Sequence, residues 1–499
     1  MSATIPYKGD FIDGQFVDIV EGDAEWAISS PADLKETVFQ AKAKYDNLEK
    51  AVEAANRAYK TWKVTPQAQR NEYLMKLHDL YVANKERMAE AISRETGKPL
   101  WESLTEAGAL AGKIKITLEH SMKLIEDVKV ENALPSIDGY IRHQSRGVMA
   151  VLGPFNFPCH LANGHIVPAL ATGNTIVFKP SEKTPATGQL MAEMIEQAGF
   201  PKGVFNLVQG QGETGKRLAG HEYVDGVLFT GSYDVGLKIK QETLQHHWKI
   251  LALEMGGKNA SVIWDDCDFE KATYETLVGA FLTSGQRCSG TSRVILKRGM
   301  KEKFLDRFYK AAKKIEIGHW KDNPFMGPLI SEDSVEKYVR FQEIALREGA
   351  EKVMRGKPLE LATPGHYVTP SIYDVKQFNP KSVYQKSEIF GPNVAIYTVD
   401  EIEEALEINN STGFGLVMSI FTKDEALYKK ALMEAKVGLL NWNRTTNGAS
   451  SRMPFGGRGK SGNDRPSAHF AVNYCTVPVA SLEDHTELDT SKLMPGIDF

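Results

Sequence analysis

Cysteine is scarce in this chain. Its 499 residues include four, Cys159, Cys267, Cys288 and Cys475, in no paired spacing. That excludes the disulfide framework of a small secreted domain. With no C-x-x-C and no His/Cys cluster it also excludes a zinc or other metal site of that kind. Reduced thiols in a cytoplasmic protein are therefore expected. Charge of one sign is missing too: the net charge is -4, which leaves no electrostatic footprint for nucleic acid or an anionic membrane. The N-terminus, MSATIPYKGDFIDGQF, has no basic start followed by an apolar run, so no signal peptide is expected. No stretch approaches the roughly 18 uncharged apolar residues of a membrane-spanning helix. Repeats and low-complexity linkers are absent as well.

What is there is globular: 42% hydrophobic and 25% charged residues, the proportions of a folded chain. At roughly 100–200 residues per domain, two or three domains are expected. The first part reads as helical, because Leu48, Val52, Ala55, Tyr59 and Trp62 recur at spacings of three and four. From residue 148 short apolar runs alternate with helical stretches: VMAVLG, TIVFKP, VFNLVQG, GVLFTG and KILALEMGG. Such alternation implies a parallel sheet covered on both faces, with ligands at the carboxyl ends of its strands. A second series follows residue 258, from NASVIWDD through SRVILK and a helix over 300–315 to VGLLNWN, so the boundary lies near EMGGKN. The final AHFAVNYCTVPVASLE reads as strand without a nearby partner.

Several loops carry chemistry. In GSYDVG, Gly231 to Gly236 follow an apolar run and precede a helix, where backbone N–H groups and the helix dipole suit a phosphate. The spacing is not G-x-G-x-x-G, and a tight turn without a ligand accounts for it equally. In KPSE, Lys179 and Glu182 could hydrogen-bond adenosine-ribose hydroxyls, and Glu182 would repel a 2′-phosphate. An ordinary solvated loop explains the same residues. SGQRCSG places Cys288 in a glycine-containing loop, unlike a core cysteine, with Arg287 adjacent. A cation beside a thiol lowers its pKa and raises its thiolate fraction. Glu254, 34 residues earlier in LEMGG, ends a strand where a carboxylate can act as general base, or can bind loop N–H groups structurally. Asn156 in GPFNFP could donate to an oxyanion, although a lone asparagine in a turn is commonplace.

In this order PFNFP, KPSE, FTGS with its following glycine, LEMGG, GQRC, EIFGP and PFGG resemble the aldehyde dehydrogenase superfamily, and the similarity spans essentially the whole chain. The resemblance implies Cys288 as nucleophile, Glu254 as general base for water, and Asn156 with the backbone N–H of Cys288 as oxyanion donors. It implies NAD as cofactor. Lys179 and Glu182 would hold the adenosine ribose, Gly231, Ser232 and Gly236 the pyrophosphate, and Glu388, with Phe390 close by, the nicotinamide ribose. Coenzyme-A-acylating relatives lack the glutamate, so water is the implied acceptor. The implied fold is α/β and aldehyde dehydrogenase-like: two doubly wound parallel-sheet domains plus a small β oligomerisation element. The NAD-binding domain would take 1–124 and 148–253, the catalytic domain 254–461, and the oligomerisation element 125–147 and 462–499, giving a homodimer or homotetramer.

A narrower resemblance rests on PCHLANGHIVPAL, LNWNRTTNGASSRMPFGG and SGNDRPSAHFAVNYCTVPVASLE. It points to members of the family whose semialdehyde substrate carries two further carboxylates. Arg444 and Arg452 precede PFGG, and arginine forks suit carboxylates, so one of them is a candidate substrate ligand. Exposed or inter-subunit arginines would look the same. The N-terminal ~40 residues read as an extension beyond the family core. A dehydrogenase of another semialdehyde, or a silent member of the fold, fits the same motifs less fully.

Overall fold

The structure is a computed structural model that describes residues 3–497. The first of two seven-stranded sheets runs in the order Ile250–Met255, Gly226–Gly231, Val148–Leu152, Thr175–Lys179, Phe205–Leu207, Asp10–Ile12, Gln15–Val17. The five strands from residue 148 onward are parallel and the two N-terminal ones antiparallel. Val148–Leu152 and Thr175–Lys179 are buried at every position, as strands covered on both faces must be. One face carries Leu110, Ile114, Ile166 and Leu190 from the covering helices, and the other Leu48, Val52, Leu218 and Ile239. After Val148–Leu152 the chain steps outward to Thr175–Lys179 and Phe205–Leu207, then returns to place Gly226–Gly231 on the opposite flank. A crevice opens where the order reverses.

The second sheet runs Glu351–Met354, Ser371–Asp374, Asn393–Val399, Thr291–Lys297, Asn259–Ile263, Val417–Phe421, Leu439–Trp442, parallel except at its first strand. The chain leaves the first sheet at Met255 and enters the second at Asn259. Carboxyl ends of the first sheet thus meet amino ends of the second. Among the described residues no helix is long and apolar enough to cross a membrane.

Two stretches depart from the sequence reading. Residues 10–43 hold no helix: Asp10–Ile12 and Gln15–Val17 extend the first sheet, and Ala24–Ser30 pairs with Asp33–Ala43. The stretch read as an N-terminal extension is therefore built into the fold. At the other end, Ala471–Cys475 is a short helix, not strand. Ala471, Val472, Tyr474 and Cys475 are buried against the helical side of the first domain, and this packing overrides the β propensity of the run. The strand begins at Thr476 and runs to Glu483, antiparallel to Ile137–Ser145, which also pairs with Val128–Leu134.

The free edge of Ile250–Met255 is closed by a segment from late in the chain. Asn463 accepts from the Leu253 N–H through Oδ1 at 2.9 Å and donates from Nδ2 to the Leu251 carbonyl at 2.7 Å. The Met255 N–H donates to the Ser461 carbonyl at 3.0 Å. Edge strands left unpaired invite misassembly, and unpaired buried backbone groups cost about 1–3 kcal/mol each. Asn463→Ala should therefore lower unfolding stability by about 1–3 kcal/mol in a denaturant titration. Hydrogen exchange should speed up at the Leu253 amide, while the Leu228 amide inside the sheet stays protected.

Candidate active site

The strand ends converge on one cavity of about 1350 Å³. Its walls include Asn156 after the first central strand, Lys179 and Glu182 after the next, Gly231 and Ser232, Glu254, Cys288, and Glu388 with Phe390. The sequence candidates from both α/β series are thus brought together, save three. Gly236 lies one turn inside the helix Tyr233–Glu242 and is not part of the wall; a Cβ there would meet Met255 Sδ at 2.4 Å, so it serves helix–strand packing. Arg444 and Arg452 are exposed and line no part of the cavity. Their loop is pinned by the Thr445 N–H on Glu275 Oε2 at 2.8 Å and turns Asn447, Ala449, Ser450 and Ser451 inward instead.

Close backbone approach sets the geometry of the centre. A Cβ on Gly256 would lie 2.0 Å from Glu388 Oε2, and one on Gly257 would lie 2.5 Å from the Cys288 carbonyl oxygen. The Gly257 N–H instead donates to Glu388 Oε1 at 2.9 Å. Asn259 then fixes the Cys288 loop from beneath: its Nδ2 donates to the carbonyls of Cys288 and Gly290 at 2.7 and 3.0 Å. Its Oδ1 accepts from Val417 at 3.2 Å. Before the cysteine, Thr283, Ser284 and Gly285 occupy the left-handed region in succession, at φ 57, 55 and 70°. For the two residues with side chains this costs about 1–2 kcal/mol apiece. Ser284 Oγ on the Gly327 carbonyl, the Ile330 N–H on Gln286 Oε1, and Thr283 Oγ1 on Glu102 hold the turn in place.

Asn156 is buried, and its Nδ2 donates to the Gln286 carbonyl at 2.9 Å, which fixes the amide and leaves its second N–H for the cavity. Glu254 ends its strand nearly out of water. Its Oε1 accepts the Ser467 N–H at 3.2 Å, and its Oε2 has no partner among the described residues. Burial pushes its carboxyl well above the usual range, against the Ser467 contacts. Glu388 is raised to about 7 by burial, opposed by the Gly257 N–H and by Lys337 and Lys258.

The thiol corrects one expectation. Arg287 does not make Cys288 a ready thiolate, because burial, then the carboxylates of Glu388 and Glu254, push the Cys288 thiol up to about 12. Arg287 lines the cavity and lowers the thiol pKa, but least of the named causes, because its charge is shared: its Nη2 pairs with Glu102 at 2.9 Å, its Nε donates to Thr283 Oγ1 at 2.6 Å, and its guanidinium lies over Phe157.

On the cofactor side Lys179 is buried, donates to the carbonyls of Pro180 and Gly210 at 2.6 and 2.7 Å, and stands 3.9 Å from the half-exposed Glu182. Ser232 caps Tyr233–Glu242 and accepts from Val235, so that helix opens onto the cavity. Phe390 adopts φ 61° and packs edge-on to Phe155 at 5.8 Å. Asn259, Glu102, Thr283 and Ser467 escaped the sequence reading. Of these only Asn259, two residues after the glycine pair at a domain boundary, carried a local signal.

Residues 19–479 match the sequence pattern of the Aldehyde dehydrogenase family. The chain belongs to this family. Among relatives of the aldehyde dehydrogenase, N-succinylglutamate 5-semialdehyde dehydrogenase of Acinetobacter baylyi is 40% identical over 494 residues, 98% of each chain. The enzyme of that name from Klebsiella pneumoniae is 38% identical over 94% of each. Similar solved structures include a 1-pyrroline-5-carboxylate dehydrogenase from Thermus with bound NAD (TM-score 0.88, 31% identity, covering 95% of this chain and 92% of that one). Another is a betaine aldehyde dehydrogenase from Staphylococcus aureus in complex with NAD+ (0.91, 28%, 98% and 97%). The α/β architecture of two largely parallel sheets is the aldehyde dehydrogenase fold.

The electrostatics of the thiol are open to test. Removing a negative charge that faces it favours the thiolate. In nucleotide-free enzyme, Cys288 alkylation by iodoacetamide should still be climbing at pH 10, and both Glu388→Gln and Glu254→Gln should move the profile to lower pH. An unmoved or alkaline-shifted profile would rule out this assignment.

Proposed function

We propose that this aldehyde dehydrogenase oxidises N-succinyl-L-glutamate 5-semialdehyde to N-succinyl-L-glutamate with NAD, in the cytoplasm and as a step of arginine breakdown. One observation carries the reading. Cys288, Asn156 and Glu254 meet in one cavity, in a chain 40% identical over 98% of its length to a dehydrogenase of that name. The four unpaired cysteines suit a reducing compartment.

The residues present fit NAD. A helix N-terminus opens onto the cavity beside Gly231 and Ser232, Lys179 and Glu182 stand at a neighbouring strand end, and Glu388 is held on the Gly257 N–H next to the thiol. Glu182 disfavours a 2′-phosphate there, so NAD is preferred over NADP. NAD, when bound, supplies the hydride acceptor.

Cys288 adds through sulfur to the aldehyde carbon, and its proton passes to solvent as the S–H bond breaks and the S–C bond forms. The new oxyanion is met by the free N–H of Asn156 and the backbone N–H of Cys288, whose loop is already fixed by Asn259. Loss of hydride leaves a thioester on Cys288. Glu254 then takes a proton from water, using the oxygen that has no partner among the described residues, and the hydroxide expels the thiolate. Because burial raises the Glu254 pKa, the ionised base accumulates only at higher pH than an ordinary carboxylate needs, and kcat should rise with pH through that range. The reading also includes a homo-oligomer. It is supported by the exposed Val128, Ile141, Val477, Val479 and Leu482 on the three-stranded sheet.

An aldehyde panel with NAD and NADP tests the substrate. The succinylated semialdehyde should give the highest kcat/KM, with NAD; a simple aliphatic aldehyde winning would overturn the reading. Cys288→Ala should form no NADH. Glu254→Gln should release about one NADH per site in a burst and then turn over at least 100-fold more slowly. A Glu254→Gln enzyme with wild-type steady-state turnover would remove Glu254 from the hydrolytic step.

A further inference from the structure

We infer that Lys113 holds a carboxylate of the substrate and so sets a preference for acidic aldehydes. This deepens the function proposed above and rests on it.

Glu102, Thr105, Glu106, Ala109 and Lys113 recur at three- and four-residue spacing along the helix Leu100–Glu119 and line the cavity together. Two of the charges on this wall are cancelled locally. Glu106 pairs with Lys98 at 2.5 Å and also accepts the N–H groups of Cys159 and His160 at 3.0 and 3.2 Å. Glu102 pairs with Arg287 at 2.9 Å. His160 is kept neutral by burial.

Lys113 differs from these groups. It is 2% exposed, and among the described residues it has no carboxylate at ion-pairing distance. Its Nζ makes one hydrogen bond, to the Ala468 carbonyl at 2.7 Å. An ammonium carries three donors, so two remain for whatever enters the cavity. A buried cation without a counter-ion is costly, and an apolar side chain of similar length would fill this position at less cost. Burial lowers its pKa to about 8, so the ammonium form still prevails at neutral pH. A negative group brought by the ligand would balance the wall.

The position suits the substrate more than the cofactor. Lys113 shares its wall with Glu102 and Glu106, not with the strand ends that carry Lys179, Gly231 and Ser232. The carbonyl it holds belongs to Ala468, the residue after Ser467, whose N–H rests on the general base Glu254. A chain joined to Cys288 within reach of Glu254 therefore has this wall beside it. Neither Arg444 nor Arg452 offers a competing cation inside the cavity. A charge-assisted hydrogen bond contributes about 1.5–3 kcal/mol, or roughly 10–100-fold in selectivity.

The test compares kcat/KM for N-succinylglutamate 5-semialdehyde with that for butanal in wild type, Lys113→Met and Lys113→Arg. The ratio should fall 10–100-fold in Lys113→Met, through KM for the acidic substrate, and recover in part in Lys113→Arg. If the ratio is unchanged, the assignment of Lys113 is wrong. If both substrates lose kcat in parallel, Lys113 only braces Ala468, and the assignment is wrong. If wild type shows no preference for the acidic substrate, the proposed function fails first and this inference with it. Should Lys113→Met not fold, as read by thermal melting, Lys113→Gln reads the same ratio with the same outcomes.

Discussion

The site depends on a crossing too narrow for side chains. Between Met255 and Asn259 the chain passes from one sheet to the other, and at Gly256 and Gly257 the Glu388 carboxylate and the Cys288 backbone already occupy the places of their Cβ atoms. Any larger residue would push apart Glu254 on one sheet and the Cys288 loop on the other. Since positioning errors of about an ångström cost orders of magnitude in rate, the bare backbone here is a condition for catalysis as much as for folding.

That closeness has an electrostatic consequence. Two carboxylates and a thiol are packed into one poorly solvated space, and the nearest cation in sequence, Arg287, is claimed by Glu102. The protein alone favours the protonated forms of all three groups. In the mechanism proposed, the thiol therefore gives up its proton against the bias of its surroundings.

Much of this was legible in the sequence, and the limits are instructive. Strand ends with glycine or polar residues located the cavity, and the ordered motifs selected Cys288, Glu254 and Asn156. The direction of the thiol shift was not legible. Arg287 is adjacent in sequence, but its partner Glu102 is 185 residues away, and adjacency says nothing about where a long side chain points. The same long-range logic hid Ser467, which reaches Glu254 across 213 residues. Ala471–Cys475 misread as strand because its composition fits either state and only its burial face decides. Residues 10–17 were missed because a three-residue strand leaves almost no periodicity.

The seal along Ile250–Met255 has a meaning for biogenesis. The strand bearing Glu254 is complete once residue 255 has been made, but Ser461, Asn463 and Ser467 lie some two hundred residues downstream. A ribosome adding about 5–20 residues per second needs on the order of 10 s or more to deliver them. Throughout that interval the nascent chain exposes an open β-edge at its future active centre. Until then that edge is a ready template for pairing with another chain.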